Sequence, residues 1–295
     1  MGFKILVRSA PSLFLDTLVN SFEDQPYILL APSSAELNWS DAKAVESYIR
    51  KKSPSIIVNH PLVPLQGNSA ELKCLNKLIQ QCQASDIPLI HLSSYRVFGE
   101  LNNEVDLVES YEPEPAASDA PANHLLAMEK CYQDIGKHII LRLSWMLNGE
   151  SDNVIERLIP ALLHDESERL AVSDHAFGNP IQIQFAVHVV FSMIQQILCG
   201  AGNWGVFHVH SSDTCSEAEF CDNLVRLLKT ELNRDVSLPT VASADDERKL
   251  MPGNANLQGR RCTDNFGIQL PSWRKGLKAL IKAYLEKNQF LEPVQ

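Results

Sequence analysis

The sequence predicts an α/β fold with a doubly wound parallel sheet. Short apolar runs alternate with segments of helical periodicity through the first half of the chain, which is typical of parallel strands joined by crossover helices. Such crossovers are right-handed by default. Strands are predicted at residues 4–7, 27–30, 55–58, 89–92 and 139–143.

Capping residues and prolines indicate where the helices begin and end. Ser40 and Asp41 provide an N-cap for a helix that continues to about Lys51, and Pro54 stops it. The polar, Pro-rich stretch 109–118 marks a surface loop. Further helices are predicted at about 70–84, 122–135, 153–163, 184–198, 217–232 and 273–286, and short strands at 169–172 and 205–208.

The two halves of the chain differ in regularity. Residues 1–145 carry the regular alternation and are interpreted as the sheet domain, whereas residues 146–295 predict a small α+β lobe intertwined with the C-terminal side of the sheet. A chain of 295 residues with 45% hydrophobic content is long enough for both units.

Charge and composition exclude several classes of protein. The 26 Lys and Arg residues against 36 Asp and Glu residues give a net charge of −10, which argues against a nucleic-acid partner because such affinity is built from cationic contacts to phosphates. We expect no secretory signal, because no basic region precedes an apolar stretch at the start. No membrane span is expected either, since no apolar run approaches about 20 residues. The seven cysteines form no C-x-x-C pair, which predicts buried, reduced thiols in a cytoplasmic protein.

Several motifs follow one another in order along almost the whole chain. They are Ile90-His91-Leu92-Ser93-Ser94-Tyr95-Arg96-Val97-Phe98, Leu141-Arg142-Leu143-Ser144-Trp145, Asp174-His175-Ala176-Phe177-Gly178-Asn179-Pro180, Gly205-Val206-Phe207-His208, Pro252-Gly253-Asn254-Ala255-Asn256-Leu257 and Gly267-Ile268-Gln269-Leu270-Pro271-Ser272-Trp273-Arg274. In this order they resemble the motifs of the dTDP-4-dehydrorhamnose reductases, which are extended short-chain reductases. The resemblance implies a Rossmann-like fold with a C-terminal substrate-binding-like lobe. The regulatory β subunit of methionine adenosyltransferase shares this ancestry, so the scaffold also serves as a partner protein.

The phosphate-binding turn of that family is degenerate in this chain. The family's three glycines allow a tight turn, the approach of the backbone to the pyrophosphate, and close helix packing. Here Ser9, Ser12 and Leu15 stand in those three places. Serine can still offer a hydroxyl and backbone N–H groups to a smaller anion at the helix N-terminus. After the second strand, Ala31-Pro32-Ser33-Ser34 supplies neither the acidic nor the basic residue that selects NAD or NADP.

The catalytic Tyr-x-x-x-Lys of the family is also missing. When Leu126-Ala127-Met128-Glu129 is matched to the family's Leu-Ala-Gly-Glu, the Tyr and Lys places fall on Pro121 and Leu125, neither of which can titrate. Three other polar residues nearby, His124, Tyr132 and Lys137, have the wrong spacing or direction and are interpreted as surface residues.

A few positions of the family's site remain recognisable. Ser94 retains the hydroxyl at the end of the fourth strand, and Asn59 ends the third strand, where an asparagine often only satisfies backbone groups. The resemblance places Gly178, Pro180, Asn254 and Leu257 in the wall around a sugar nucleotide. Trp145 is expected in the core beneath that wall. Arg260 and Arg261 are either phosphate contacts or charges at a helix end.

His208 and His210 share one face of a predicted strand, but without a third ligand they make a weak case for a metal site. The neighbouring Ser211-Ser212-Asp213 is expected to cap the next helix instead. No metal is therefore predicted.

Together these observations predict a non-catalytic homologue of the sugar-nucleotide reductases. It would act by binding a sugar nucleotide or related ligand, or by regulating a protein partner, and it would need no cofactor. The alternative is an NAD(P)H-dependent reductase with a rearranged site, in which NAD(P) is the cofactor. The family commonly forms dimers, so a homodimer is a further alternative. Bulky substitution at Gly178 is expected to weaken ligand binding without unfolding the protein.

Overall fold

The computed structural model of the protein describes residues 2–9, 12–60, 69–99, 106–133, 135–148, 153–163, 171–241 and 254–290. The strands are β1 (Phe3–Arg8), β2 (Tyr27–Leu30), β3 (Ile56–Asn59), β4 (Leu89–Ser94), β5 (His138–Leu143), β6 (Ala171–Val172), β7 (Phe177–Gly178), β8 (Gly205–Val209), β9 (Cys215–Ser216) and β10 (Thr240–Val241). The helices are α1 (Leu13–Ser21), α2 (Ala42–Lys52), α3 (Ser69–Ala84), α4 (Ala120–Lys130), α5 (Val154–Leu163), α6 (Ile183–Leu198), α7 (Glu217–Leu232), α8 (Arg261–Phe266) and α9 (Leu277–Lys287).

Six parallel strands form the main sheet, in the order β2-β1-β3-β4-β5-β8. This order confirms the predicted doubly wound parallel sheet. The five strands of the first half lie where the apolar runs predicted them, each within one or two residues. The sixth strand, β8, belongs to the second half and pairs along β5, with Arg142 opposite His208. The sequence predicted this segment as a short strand of the second half and did not assign it to the main sheet.

Each face of the sheet is covered by helices, and the side chains of each strand alternate between the two faces. Ile56 and Val58 on β3 pack on one face against α1 and α6, whereas Ile57 packs on the other face against α2 and α3. Strands buried on both faces become nearly continuous apolar runs, which is why the sequence revealed them.

A separate core holds the rest of the second half together. Residues of α5, α7 and α9 form it, with Trp145, Trp273 and Leu257 among its buried side chains. The short antiparallel pair of β7 with β9 and the parallel pair of β6 with β10 lie beside it. Of the strand predicted at 169–172, residues 169 and 170 lie outside the described residues. The domain boundary at 145/146 remains a prediction.

Three predicted helix ends differ from the structure. Helix α4 begins at Ala120 and ends at Lys130, and residues 131–133 form turns instead of a fourth helical turn. Helix α9 begins at Leu277, four residues later than predicted, because Gly276 before it has a φ of +80°. The expectation that Asp213 caps the helix after it is wrong. Ser216 caps α7, and the Asp213 carboxylate accepts hydrogen bonds from residues 272–274.

In the described part of the chain, none of the helices is both long and apolar enough to cross a membrane. The seven cysteines are free thiols.

Candidate functional site

The carboxyl ends of the main strands carry buried polar residues on the sheet face that α2, α3 and α4 cover. Five of these residues lie two positions beyond an apolar residue of the core on that face, and Ser93 lies two positions beyond His91, so strand alternation places them together. They are Arg8, Asn59, His91, Ser93, Arg142 and His208, and each is at most 5% exposed.

We call Arg8, Asn59, His91 and Tyr132 the Asn59 cluster. The Asn59 Oδ1 atom accepts a hydrogen bond of 2.7 Å from Arg8 Nη1. The Asn59 Nδ2 atom is 2.9 Å from His91 Nδ1 and 3.1 Å from the Tyr132 hydroxyl. The His91 and Tyr132 rings stack with centroids 4.7 Å apart, and the Arg8 guanidinium lies 5.8 Å from the Trp39 ring. Asn59 therefore hydrogen-bonds the side chains of Arg8, His91 and Tyr132. This role goes beyond hydrogen bonding to backbone groups at the end of the strand.

The interpretation of Tyr132 as a surface residue is wrong, because its side chain is 0% exposed. The end of α4 at Lys130 lets the following turn direct this ring onto His91. Burial raises the pKa of the Tyr132 hydroxyl well above its usual value, so the phenol stays protonated. Burial, with the nearby Arg8 charge, lowers the pKa of His91 to about 3. The cluster therefore contains no group that exchanges protons near neutral pH.

We call Ser93, Glu129 and Arg142 the Glu129 cluster. Arg142 Nη2 lies 2.8 Å from Glu129 Oε2, and Arg142 Nε lies 3.2 Å from both carboxylate oxygens. Ser93 donates its hydroxyl to the same carboxylate at 2.5 Å. This buried ion pair fastens α4 to β4 and β5. Nearby, burial and the Arg142 charge lower the pKa of His208 to about 3.

The turn after β1 uses its serines within the protein. The Ser12 hydroxyl caps α1 by accepting a hydrogen bond from Leu15 N at 3.3 Å, and the Ser9 hydroxyl lies 2.9 Å from His60 Nδ1. Leu15 packs against the core on the α1 face. After β2, the carboxylate of Glu36 accepts hydrogen bonds from the backbone and hydroxyl of Ser33. Residues 10 and 11 lie outside the described residues.

The positions expected for a Tyr and Lys pair contain no proton donor. Pro121 lies in the first turn of α4, where the lack of an N–H group costs nothing. Leu125 is 2% exposed and packs in the core of the second half beside Trp145. His124 is half-buried, and Lys137 forms an exposed ion pair with Asp86.

Ser94 ends β4, where the sequence predicted it. Its hydroxyl accepts a hydrogen bond of 3.3 Å from Arg96 N and caps the 3₁₀ turn Tyr95–Phe98. The side chain is half-buried, and its register partner on β5 is Leu143. In the part of the chain that the structure describes, this hydroxyl makes no hydrogen bond to a basic side chain.

Three of the predicted wall residues lie inside packed structure. Leu257 is 0% exposed and forms a bridge with Leu107, and Asn254 is 2% exposed. Gly178 forms a bridge with Ala255, and a Cβ atom on Gly178 would stand 2.5 Å from Trp145 Cδ2. A bulky side chain at Gly178 would therefore displace the indole, so we expect it to disturb the packing as well as any ligand binding. Trp145 is 1% exposed and belongs to the core, as predicted.

Pro180 has a different environment from the other wall residues. It lines a cavity of about 440 Å³ beside the N-terminus of α6. The described residues that line this cavity do not include Ser94, Gly178, Asn254 or Leu257. The structure therefore does not bring Pro180 and Ser94 to one cavity.

His208 and His210 both face the loop at 258–259. His208 Nδ1 lies 2.9 Å from the Gln258 carbonyl, and His210 Nε2 lies 3.3 Å from the Gly259 carbonyl. The described residues contain no group of three or more side chains that could hold a metal ion. Arg261 donates to the carbonyls of Val206 and Trp204, so it braces β8, whereas Arg260 is exposed near Asp264.

Sequence reasoning missed Arg8, His91 and the Glu129–Arg142 pair. Their signal was a polar residue inside an otherwise apolar strand, as in Leu89-Ile90-His91-Leu92. Such a residue is costly to bury unless it has partners. The pattern could have predicted buried polar contacts, although not which residues form them.

Comparison with known proteins places the chain in a family. The sequence model described as the RmlD substrate binding domain matches residues 3–286. The chain belongs to this family. A dTDP-4-dehydrorhamnose reductase of Shigella flexneri is 24% identical over 259 residues, which cover 83% of this chain and 84% of that protein.

Solved structures similar to this RmlD-family chain agree with its fold. A dTDP-4-dehydrorhamnose reductase of Clostridium acetobutylicum has a TM-score of 0.76 and 18% identity, covering 96% of this chain and 99% of its own. The reductase of Bacillus anthracis, solved in complex with NADP, has a TM-score of 0.72 and 17% identity with the same coverage. At these identities the likeness supports the fold alone.

Proposed function

We propose that this chain is a non-catalytic member of its family that acts by binding. The ligand is a sugar nucleotide or related molecule, or the chain regulates a protein partner. The observation that carries this proposal is Leu125, which occupies the place of the family's lysine with 2% exposure inside an apolar core. A buried leucine leaves no room for an ammonium group that would lower the pKa of a proton donor.

The carboxyl ends of β1 and β3, where a dinucleotide would bind, support the same proposal. The polar side chains at the ends of β1 and β3 bind one another within the Asn59 cluster. The hydroxyls of Ser9 and Ser12 have partners within the protein. A dinucleotide would have to replace these contacts without the glycines that let its pyrophosphate approach the backbone. No cofactor is therefore part of this proposal.

One observation favours the alternative of an NAD(P)H-dependent reductase with a rearranged site. The curated relatives are named as reductases, and the similar Bacillus anthracis structure holds NADP. Under this alternative, Ser94 at the end of β4 is the remaining hydroxyl near the expected site.

Ligand screening separates the two functions. A ligand that binds only the native state at 100 times its dissociation constant adds about 2.7 kcal/mol to the unfolding free energy. We expect dTDP, a dTDP-sugar or a UDP-sugar to raise the melting temperature and NADH and NADPH to leave it unchanged. A shift with NADPH at micromolar concentration would favour the reductase.

If none of these compounds shifts the melting temperature, a protein partner remains within the proposal. Pull-down from the native extract, followed by hydrogen exchange on the complex, tests it. We propose that the ligand or partner contacts the cleft between Ser94 and the Asn254 loop, which we call the Ser94 cleft. Slower exchange is therefore expected at the end of β4 around Ser94 and in residues 254–257. A complex that protects neither segment argues against binding at this cleft.

We also propose a cytoplasmic location, since the seven cysteines are free thiols, as is usual in a reducing compartment. A homodimer is a further proposal, and its test is the molar mass in solution measured by light scattering.

A further inference from the structure

A cavity of about 440 Å³ lies between the N-terminal end of α6 and residues 269–276, which precede α9. We call it the α6–α9 cavity. Its apolar lining is formed by Pro180, Ile181, Phe185, Pro271 and Trp273. This volume lies within the range of about 300–1,000 Å³ that is usual for small-molecule sites. The cavity is separate from the Ser94 cleft that the proposed function uses.

Hydrogen bonds hold both walls of the cavity in place. Gln182 Nε2, at the start of α6, donates to the Lys275 carbonyl at 3.0 Å. On the other side, the Asp213 carboxylate accepts hydrogen bonds from Trp273 N at 3.2 Å and from the Ser272 hydroxyl at 3.1 Å. The cavity is thus formed before any ligand enters, which lowers the ordering cost of binding.

The Trp273 ring forms part of the wall of this cavity. Trp273 is 2% exposed, and its Nε1 atom finds no acceptor within the part of the chain that the structure describes. Because this N–H group has no accessible surface, the ring contributes an apolar wall and no hydrogen bond to a bound molecule.

The electrostatics of the cavity favour a negative charge. Gln182 is the N-cap residue of α6 and makes no side-chain capping bond, while its Nε2 atom donates to the Lys275 carbonyl. The first turn of α6 contains no acidic residue to offset the positive end of the helix dipole. Lys275 is exposed at the cavity and forms no ion pair with any described residue. The nearby carboxylates of Asp213 and Glu219 are both paired with Arg274.

We propose that the α6–α9 cavity binds a small organic anion, with its apolar body against Phe185 and Trp273 and its charged group beside Lys275. The chemical class is an aromatic or branched aliphatic carboxylate, sulfonate or phosphate ester. The apolar lining provides most of the affinity, and the charge selects anions over neutral molecules of the same shape.

The test uses two fluorescent probes of similar shape. One is 8-anilinonaphthalene-1-sulfonate, which is anionic, and the other is N-phenyl-1-naphthylamine, which is neutral. We expect saturable binding of the anionic probe to the native protein with one site per chain. Lys275→Glu places a negative charge at the cavity. It should raise the dissociation constant of the anionic probe about tenfold or more, because the like charges repel each other. The neutral probe should bind both proteins equally.

A matched variant controls for the change in net charge. Lys282→Glu makes the same substitution on α9, outside the residues that line the cavity, and should bind the anionic probe as the unchanged protein does. Binding without saturation, or the same loss in both variants, would overturn the proposal.

Nuclear magnetic resonance locates the probe independently. The chain has four tryptophans, and Trp273→Phe identifies the indole N–H signal of Trp273 by its disappearance. We expect this signal to shift on binding while the signal of the buried Trp145 indole stays unchanged. A shift confined to other indoles overturns the proposal. So does a dimer that Lys275→Glu dissociates, because a second copy would then cover the cavity.

Discussion

Gly178 on β7 lies against the ring-fusion atoms of the Trp145 indole. A Cβ atom at residue 178 would stand 2.5 Å from Trp145 Cδ2 and 2.6 Å from Cε2, which is closer than two unbonded carbon atoms can lie. Trp145 lies two residues after the end of β5 in the main sheet, and Gly178 also forms a β-bridge with Ala255 of the lobe. The contact therefore links the end of the main sheet to the lobe. The glycine that the family resemblance assigned to a ligand wall therefore has a packing role in this chain.

The first prediction is that Gly178→Ala destabilises the protein. Adding a methyl group to this contact should lower the unfolding free energy by about 1–3 kcal/mol, because overpacking forces neighbouring groups to move. Urea denaturation followed by circular dichroism measures the change. Gly136→Ala is the matched control, since a Cβ atom there meets nothing within 4 Å. Its effect should stay below about 1 kcal/mol. Equal effects of the two substitutions would contradict the proposed contact.

The second prediction concerns the buried ion pair of the Glu129 cluster. Both side chains of the pair are 5% exposed. Glu129→Gln should cost about 3–5 kcal/mol of unfolding free energy, because it leaves the Arg142 guanidinium charged and unpaired in the core. The same substitution at Glu46 breaks an exposed pair with Arg50 and should cost less than about 1 kcal/mol. If the two variants unfold at the same urea concentration, the Glu129 pair is not buried as described.

The third prediction is a loss of stability in mild acid. Burial lowers the pKa of His60 to about 4 and the pKa values of His91 and His208 to about 3. In the unfolded chain these imidazoles bind protons near pH 6.5. The unfolded state therefore binds more protons between about pH 6.5 and 4, and stability falls as the pH falls through that range. Each such histidine contributes a slope of up to about 1.4 kcal/mol per pH unit.

Variants assign that slope to particular histidines. Unfolding free energies measured by urea denaturation at several values between pH 7 and 4.5 give the slope. His208→Gln should reduce it by about one proton, or roughly 1.4 kcal/mol per pH unit. His188→Gln makes the same substitution at an exposed imidazole and serves as the comparison variant. A slope that does not respond to His208→Gln would show that this imidazole is charged in the native protein.

The sequence was sufficient to predict five of the six strands of the sheet but not the contacts at its edge. Runs such as Ile56-Ile57-Val58 are apolar because both of their faces are buried, and this is visible in the sequence alone. Ser93 and Ser94 follow such a run and are polar, and the strand was predicted to end at Leu92 instead of Ser94. The partners of Ser93 and Asn59 are distant in sequence: Ser93 binds Glu129, and Asn59 binds Tyr132. Local patterns do not contain such pairings.

The candidate site was predicted in part. The sequence placed Ser94 at the end of β4 and Leu125 at the position of the family's lysine. In the structure, Ser94 ends β4 and Leu125 lies on α4, as predicted. It did not reveal that Leu257 and Asn254 are buried, or that Pro180 lines another cavity. Those facts depend on how the lobe packs on the sheet. A family motif fixes the identity of a residue and its place along the chain, whereas its exposure depends on neighbours that have changed.

The fourth prediction is that NADH and NADPH bind weakly or not at all. Ser9 and Ser12 replace two glycines of the phosphate turn, and their side chains already have partners. Isothermal titration should show no saturable heat at sub-millimolar cofactor. A titration with dTDP under the same conditions provides the comparison. A micromolar dissociation constant for NADPH would contradict this prediction and favour the reductase alternative.

The last prediction is that the protein transfers no hydride to a dTDP-4-keto sugar. Pro121 and Leu125 cannot provide the acid that protonates the carbonyl or the cation that tunes it, and general acid catalysis usually contributes about 10²–10⁴ in rate. With NADPH in large excess, the oxidation of the cofactor followed at 340 nm should stay near the rate without protein. Ser94→Ala should leave that rate unchanged, because the Ser94 hydroxyl caps the 3₁₀ turn and makes no hydrogen bond to a basic side chain among the described residues. Turnover at ordinary enzymatic rates that Ser94→Ala abolishes would identify Ser94 as the proton donor. Turnover that persists in this variant would mean that another residue donates the proton. In either case the binding function proposed here would be wrong.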